Sequence, residues 1–175
     1  RAGAVRADAV IVTKCPADLS AEEPIRIEKR IKAYTLPVCP VFFAKVTYGQ
    51  AIDFTGKTQQ LPASLVVVTG IAQPAPFIDY LRSITTLAHV FSFKDHHDYT
   101  NDDVQEMIKC LKNDNCVLTT EKDYVKLAPL VRNTEWKSRF LYRPIQMELI
   151  GEGGDFDEWI KKRIISVNEQ HSFNA

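Results

Sequence analysis

Short apolar runs rich in β-branched residues recur along this chain, and most are followed by a segment that reads as a helix. DAVIVT (8–13), VCPVFFAKVTYG (38–49), SLVVVTG (64–70), LAHVFSF (87–93) and NCVLTTEKD (115–123) read as strands. LSAEEPIRIEKRIKAY, the segment after IAQPAP, and TNDDVQEMIKCLKN read as the helices between them. Strands alternating with helices predict an α/β, Rossmann-like fold: a mostly parallel sheet with helices on both faces. DAVIVT is apolar on consecutive positions, which suits a strand buried on both sides. In such sheets ligands bind beyond the carboxyl ends of the strands. Three polar clusters fall there: Thr69–Gly70, Asp95–His96–His97, and Thr119 to Asp123.

Local signals sharpen this outline. Ser20 with Glu23 has the spacing of a capping box, and Pro24 is tolerable in a first helical turn. QAIDFTGKTQQLPA is a polar loop or hairpin. Phe77, Ile78, Leu81 and Ile84 share one helical face, as do Val104, Met107, Ile108 and Leu111 after an N-cap at Thr100. RFLYRPIQMELI predicts a last strand at a sheet edge, because Pro144 lies inside it. After GEGGD an amphipathic helix runs from Asp155 to Val167.

The 175 residues fit one domain with room for an appended element. Lys plus Arg and Asp plus Glu number 22 each, so net charge gives no general attraction for nucleic acid or anionic lipid. The four cysteines lack CxxC spacing, which argues against zinc. Cys39 and Cys116, among apolar neighbours, predict small buried thiols in a reducing compartment. No leader or membrane-spanning run is legible, and the abrupt start before the first strand reads as a fragment.

FTGKT (54–58) imitates the end of a phosphate-binding P-loop, but that motif needs glycine five positions before Gly56, where Ala51 stands. It reads as a surface loop. In VVVTGIAQP, backbone N–H groups near Gly70 either hold an anion at a helix start or serve a tight turn only. In TTEKD, either Lys122 meets a phosphate while Glu121 or Asp123 holds a metal or hydroxyl, or Thr120 caps a short helix and the charges lie in water. Asp95–His96 is a carboxylate–imidazole pair suited to proton transfer, with helix capping and a backbone bond as its bland alternative. The DHH string also resembles metal-dependent phosphoesterases. Those need further Asp and His clusters, whereas only His89 and His171 remain here. No metal site is assigned.

RADAVIVTKCP (6–16), VVVTGIAQPAPFIDYLR (66–82), FSFKDHHDYT (91–100) and VLTTEKDYVKL (117–127) resemble, in order and approximate spacing, the C-terminal part of the tetraacyldisaccharide 4'-kinase family, the lipid A 4'-kinases of Gram-negative bacteria. The resemblance runs from Arg6 to about Ile165. It implies transfer of the ATP γ-phosphate to the 4'-hydroxyl of a tetraacylated glucosamine disaccharide 1-phosphate, with Mg²⁺, at the cytoplasmic face of the inner membrane. It implies two lobes. The N-terminal lobe carries the P-loop, the metal-binding acids, a catalytic aspartate and the main membrane contact; the C-terminal lobe closes over the nucleotide. On this resemblance His96, with Asp95, is catalytic and pairs with the other lobe's aspartate. Thr69, Gly70, Thr120, Glu121, Lys122 and Asp123 lie near nucleotide or acceptor. Residues 1–150 then form the α/β lobe, and 151–175 a helix that docks on the other lobe. Alone, the chain is expected to be inactive and to hold no cofactor firmly. Two other readings stand beside this one: a non-catalytic module binding a nucleotide or sugar phosphate, and a small phosphohydrolase using Asp95 and His96.

Overall fold

The computed structural model describes residues 3–16, 18–112, 114–151 and 154–172, with backbone alone at 154 and from 167 onward. Glu152 and Gly153 of the GEGGD turn and the side chains of Val167 and His171 therefore lie outside the description. The chain divides into two compact units, Tyr48–Gln146 on one side and residues 1–47 with 147–175 on the other.

The central unit holds a six-stranded sheet. Its strands are β3 (Ala51–Asp53), β4 (Thr58–Gln59), β5 (Ser64–Thr69), β6 (Thr86–Ser92), β7 (Cys116–Thr120) and β8 (Phe140–Arg143), in the order β4-β3-β8-β7-β5-β6. β5, β6, β7 and β8 are parallel, and the β3–β4 hairpin joins β8 antiparallel. Alternation along the strands supplies both faces. Val66, Val68 and Val117 pack with Val104 and Met107 of α3 (Asn101–Lys109) and with Leu127 and Val131 of α4 (Glu121–Val131). Leu65, Val67 and Leu118 pack with Phe77, Ile78 and Leu81 of α2 (Ala75–Ile84). The α/β reading with helices on both faces holds here. The chain leaves β5 for β6 on one side, then returns to β7 on the other, so the strand order reverses between β5 and β7. The crevice at that reversal is where such sheets place ligands.

The other unit holds β1 (Val10–Cys15), α1 (Glu22–Lys32), most of β2 (Val41–Tyr48), the end of β9 (Ile145–Leu149) and α5 (Gly154–Ser172). Its three strands run in the order β1-β2-β9, with β1 and β2 parallel. Phe42 packs edge-on against Phe156 at 4.9 Å, with Trp159 at 5.7 Å, and Arg163 pairs with Asp8.

Several local expectations are corrected. β1 is not buried on both faces: its burial alternates and Ile11 is 46% exposed, as befits the edge of a three-stranded sheet. Ile84, at the last turn of α2, is exposed. RFLYRPIQMELI is two strands, because Pro144 lies between them and ends the ladder. β8 then sits inside the large sheet between β3 and β7, while β9 alone is an edge. The Ser20–Glu23 box is half formed. Glu23 accepts from the Ser20 N–H at 3.2 Å, but the Ser20 hydroxyl donates to that carboxylate instead of capping the helix. FTGKT is the tip of the β3–β4 hairpin. Asp53 accepts there from the Thr55 N–H, the Thr55 hydroxyl, the Lys57 N–H and the Gln59 amide, and Gly56 takes a φ of +90°. Cys39 is buried, whereas Cys116 is half-buried.

Candidate functional site

The three polar clusters meet at the carboxyl ends of β5, β6 and β7. Parallel register fixes this, since Val68 lies beside Thr119 and Thr69 beside Ser92. Beyond β6 the chain stays tied to β5: the Phe93 N–H donates to the Thr69 carbonyl at 2.8 Å, and the His96 N–H to the Gly70 carbonyl at 3.2 Å. His96 takes a φ of +60° to do so.

Asp95 and His96 form the exposed part of this rim. The Asp95 carboxylate accepts from Lys122 Nζ at 3.1 Å and from the His96 N–H at 3.1 Å, and His96 Nε2 stands 3.6 Å from its second oxygen. The hydrogen bond from Lys122 is the main reason the Asp95 carboxyl titrates below its ordinary range, with the His96 and Lys122 charges adding to it against some desolvation. The His96 side chain is 73% exposed, so its imidazole is accessible from solvent.

Thr120 and Asp123 form the buried part. Thr120 caps α4, its hydroxyl accepting from the Asp123 N–H at 3.2 Å and donating to Asp123 Oδ2 at 2.8 Å. The same oxygen accepts from the Gly70 N–H at 3.0 Å. That N–H is therefore already occupied, and α2 starts only at Ala75, so Gly70 is not the anion-holding start of a helix. Its glycine identity has a steric cause. A Cβ there would meet Tyr99 Oη at 2.8 Å and Asp123 Oδ1 at 3.0 Å. Tyr99 is buried, and desolvation, then the Asp123 charge beside it, push its hydroxyl far above the usual tyrosine range. The Thr69 hydroxyl has no hydrogen-bond partner among the described residues, and the Tyr99 hydroxyl has only the Asp123 carboxylate beside it. Glu121 is exposed in the first turn of α4 and joins none of these contacts.

His97 does structural work. Its ring stacks on Phe93 at 4.2 Å and its Nε2 lies 3.1 Å from Asp103, while its carbonyl accepts from Lys126 Nζ at 2.8 Å. Burial alone would raise the Asp103 carboxyl; hydrogen bonds from Thr100 and His97 outweigh it and hold the group low. Sequence reasoning named neither Tyr99 nor the Lys126 clamp. Tyr99 gave no signal, because one aromatic residue in a polar loop carries no period. A further cavity of about 610 Å³ opens at the opposite end of the sheet, between Ser64, His89, Lys109 and Asn115, remote from this chemistry. Among the described residues no group of three or more His, Cys, Asp or Glu is placed to hold a metal. No described helix is long and apolar enough to cross a membrane.

A parallel sheet whose order reverses beside an accessible carboxylate–imidazole–ammonium cluster defines an α/β protein with polar groups at the rim where such folds place ligands. Comparison with known proteins narrows the class. The family model for Tetraacyldisaccharide-1-P 4'-kinase matches residues 1–165, and the chain belongs to that family. Among its relatives, the tetraacyldisaccharide 4'-kinase of Cytophaga hutchinsonii is 36% identical over 94% of this chain and 47% of its own length. That of Flavobacterium johnsoniae is 32% identical over 94% and 48%. The chain thus spans about half the length of the curated relatives it matches. A crystal structure of LpxK from Aquifex aeolicus in complex with ATP aligns over 88% of this chain and 51% of that one, with 13% identity and a TM-score of 0.49. That likeness is too loose for residue correspondence.

Proposed function

We propose that this chain supplies the C-terminal lobe of a kinase that transfers the γ-phosphoryl group of ATP to the 4'-hydroxyl of tetraacyldisaccharide 1-phosphate in lipid A biosynthesis. The products are ADP and the 4'-phosphate, and the hydroxyl proton leaves to a base. A P-loop lobe outside these residues is the partner. It carries the main contact with the cytoplasmic face of the inner membrane.

The observation that carries the reading is the Asp95–His96 pair held at the sheet rim, in a chain of this family, with its imidazole in the open. Phosphoryl transfer rests mainly on positioning and charge neutralisation, and a base near the nucleophile adds roughly 10²–10⁴-fold. His96 is suited to orient such a base supplied by the partner lobe, with Asp95 holding the ring and Lys122 holding Asp95. Mg²⁺ supplies charge neutralisation in phosphoryl transfer, but the described rim carboxylates do not fit it: Asp95 is taken by Lys122, Asp123 is enclosed by Gly70 and Thr120, and exposed Glu121 belongs to no cluster of ligands among the described residues. The metal therefore belongs with the partner lobe.

The test is a phosphotransfer assay with ATP, Mg²⁺ and the acceptor, on this chain alone and joined to the other half of the Cytophaga hutchinsonii relative. The chain alone gives no turnover, the joined enzyme does, and His96→Ala lowers that turnover by roughly 10²-fold or more. Turnover by the chain alone refutes the division into lobes. Full activity of His96→Ala refutes the histidine's role. ATP binding by the chain alone, with no turnover from the joined enzyme, marks a binding module instead.

A further inference from the structure

Two helices of the central unit begin with the same four-residue pattern, Thr-x-x-Asp, yet use the carboxylate differently. At α3 the carboxylate stays local: Asp103 Oδ2 accepts from the Thr100 N–H at 2.8 Å and the Thr100 hydroxyl at 2.9 Å, and meets His97 Nε2, six residues away, at 3.1 Å. At α4 the carboxylate of Asp123 reaches the Gly70 N–H, 53 residues away, just past the end of β5. Helix capping needs no such reach. Gly70 in turn accepts from the His96 N–H through its carbonyl. One residue is thus gripped on both sides, by a buried carboxylate at its N–H and by His96 at its C=O. Lys122, the neighbour of Asp123 in the first turn of α4, closes the circuit through Asp95.

We infer that Asp123 is a positioning residue for His96, acting through the Gly70 backbone: it fixes where β5 ends, and that fixes the left-handed turn that presents the imidazole. The role of His96 in phosphoryl transfer rests on the function proposed above, whereas the linkage itself does not. A carboxylate 2% exposed has no access to substrate, so its effect on the rim passes through the residues it holds.

The test uses the ¹⁵N-labelled chain and backbone amide exchange. In the wild type the Gly70 and His96 amides exchange at least about tenfold slower than in a free peptide, although the His96 side chain is exposed. Asp123→Ala shifts both resonances and removes most of the His96 protection. Asp123→Asn, which keeps a carbonyl acceptor for Gly70, restores much of it. Asp103→Ala moves Thr100 and His97 and leaves Gly70 and His96 in place. Should Asp123→Ala not fold, the wild type decides: exchange of either amide at the peptide rate overturns the inference. So does an Asp123→Ala variant in which both resonances stay put, or an Asp103→Ala variant that moves them equally. In the joined enzyme, the kcat losses of Asp123→Ala and His96→Ala are expected to be non-additive, the second change adding little to the first. Fully additive losses overturn the inference. Because amide exchange needs no turnover, failure of the linkage and failure of the kinase reading are separable.

Discussion

Replacing Gly70 by alanine tests the packing at the switch point directly. The added Cβ would stand 2.8 Å from Tyr99 Oη and 3.0 Å from Asp123 Oδ1. The first is closer than carbon and oxygen tolerate, the second is tight enough that Asp123 must give by a few tenths of an ångström, and both neighbours are buried. Overpacking of this kind costs about 1–3 kcal/mol. If Asp123 yields, the hydrogen bond from the Gly70 N–H to a charged acceptor is lost, worth about 1.5–3 kcal/mol. Only one of these routes need be taken in full, and the smaller chain entropy of alanine in the unfolded state returns about 0.4–1 kcal/mol. The expected net loss is about 0.5–2.5 kcal/mol, or a Tm lower by roughly 1–10 °C for a chain of this size. Gly56→Ala is the comparison. There φ is +90° but nothing lies within 4 Å, so backbone strain of about 1–2 kcal/mol acts without a clash. Urea unfolding followed by circular dichroism measures both. Adding Tyr99→Phe to Gly70→Ala removes the nearest atom and leaves the ring carbon at an ordinary 3.5 Å, which should recover about 1 kcal/mol. If Gly70→Ala is no worse than Gly56→Ala, or if the double variant recovers nothing, the steric account of Gly70 is wrong.

Further outcomes follow from the same contacts. Tyr99→Phe alone should change stability by no more than about 1 kcal/mol in urea unfolding, because the buried hydroxyl has nothing beyond the Asp123 carboxylate beside it; a larger loss would show a full hydrogen bond between the two. Burial pushes the Asp53 carboxyl upward, but the bonds from Thr55, Lys57 and Gln59 prevail and hold it below its ordinary value. Its contribution is therefore complete above the unfolded value near ~4 and fades as pH falls through the lower folded value. Asp53→Asn should destabilise by about 1–3 kcal/mol at pH 7, and the gap to wild type in urea midpoint should narrow below about pH 4; a gap independent of pH would count against this. Leu118→Ala, fully buried between β5 and β8, should cost about 2–5 kcal/mol by the same assay, and a cost under 1 would mean the site is not packed as described.

Much of this fold is legible because it depends on local pattern. Leu65 to Val68 announce a strand covered on both sides, and Thr100 with Asp103 announces the start of α3 from four residues. What escapes is long range. Nothing local to Pro144 says that the residues before it enter one sheet and those after it another; that depends on which ladder each side meets. The capping reading of Thr120 was available, but not the destination of the Asp123 carboxylate, since a side chain crossing to the residue after a strand, 53 positions away, leaves no spacing to read. The rim itself was legible, because parallel strands separated by helices must all end on one side. Which of its polar residues face water and which hold the backbone was not, since Lys122 and Asp123 are adjacent in sequence yet one is exposed and the other enclosed.

The backbone at His96 shows why that distinction matters for function. A left-handed conformation costs a non-glycine residue roughly 1–2 kcal/mol, and it persists where surrounding bonds over-determine it. Here the His96 N–H is met by both the Gly70 carbonyl and the Asp95 carboxylate, and Asp95 is anchored by Lys122. A glycine at this position would relieve the strain but remove the imidazole. A histidine without these bonds would relax toward extended backbone and turn the ring elsewhere. An exposed side chain on a strained residue, with its backbone tied to a buried network, is what a rigidly presented proton-handling group requires. On the inference drawn above, the buried half of the rim, Asp123 with Gly70 and Thr120, is the part that holds the exposed half in place.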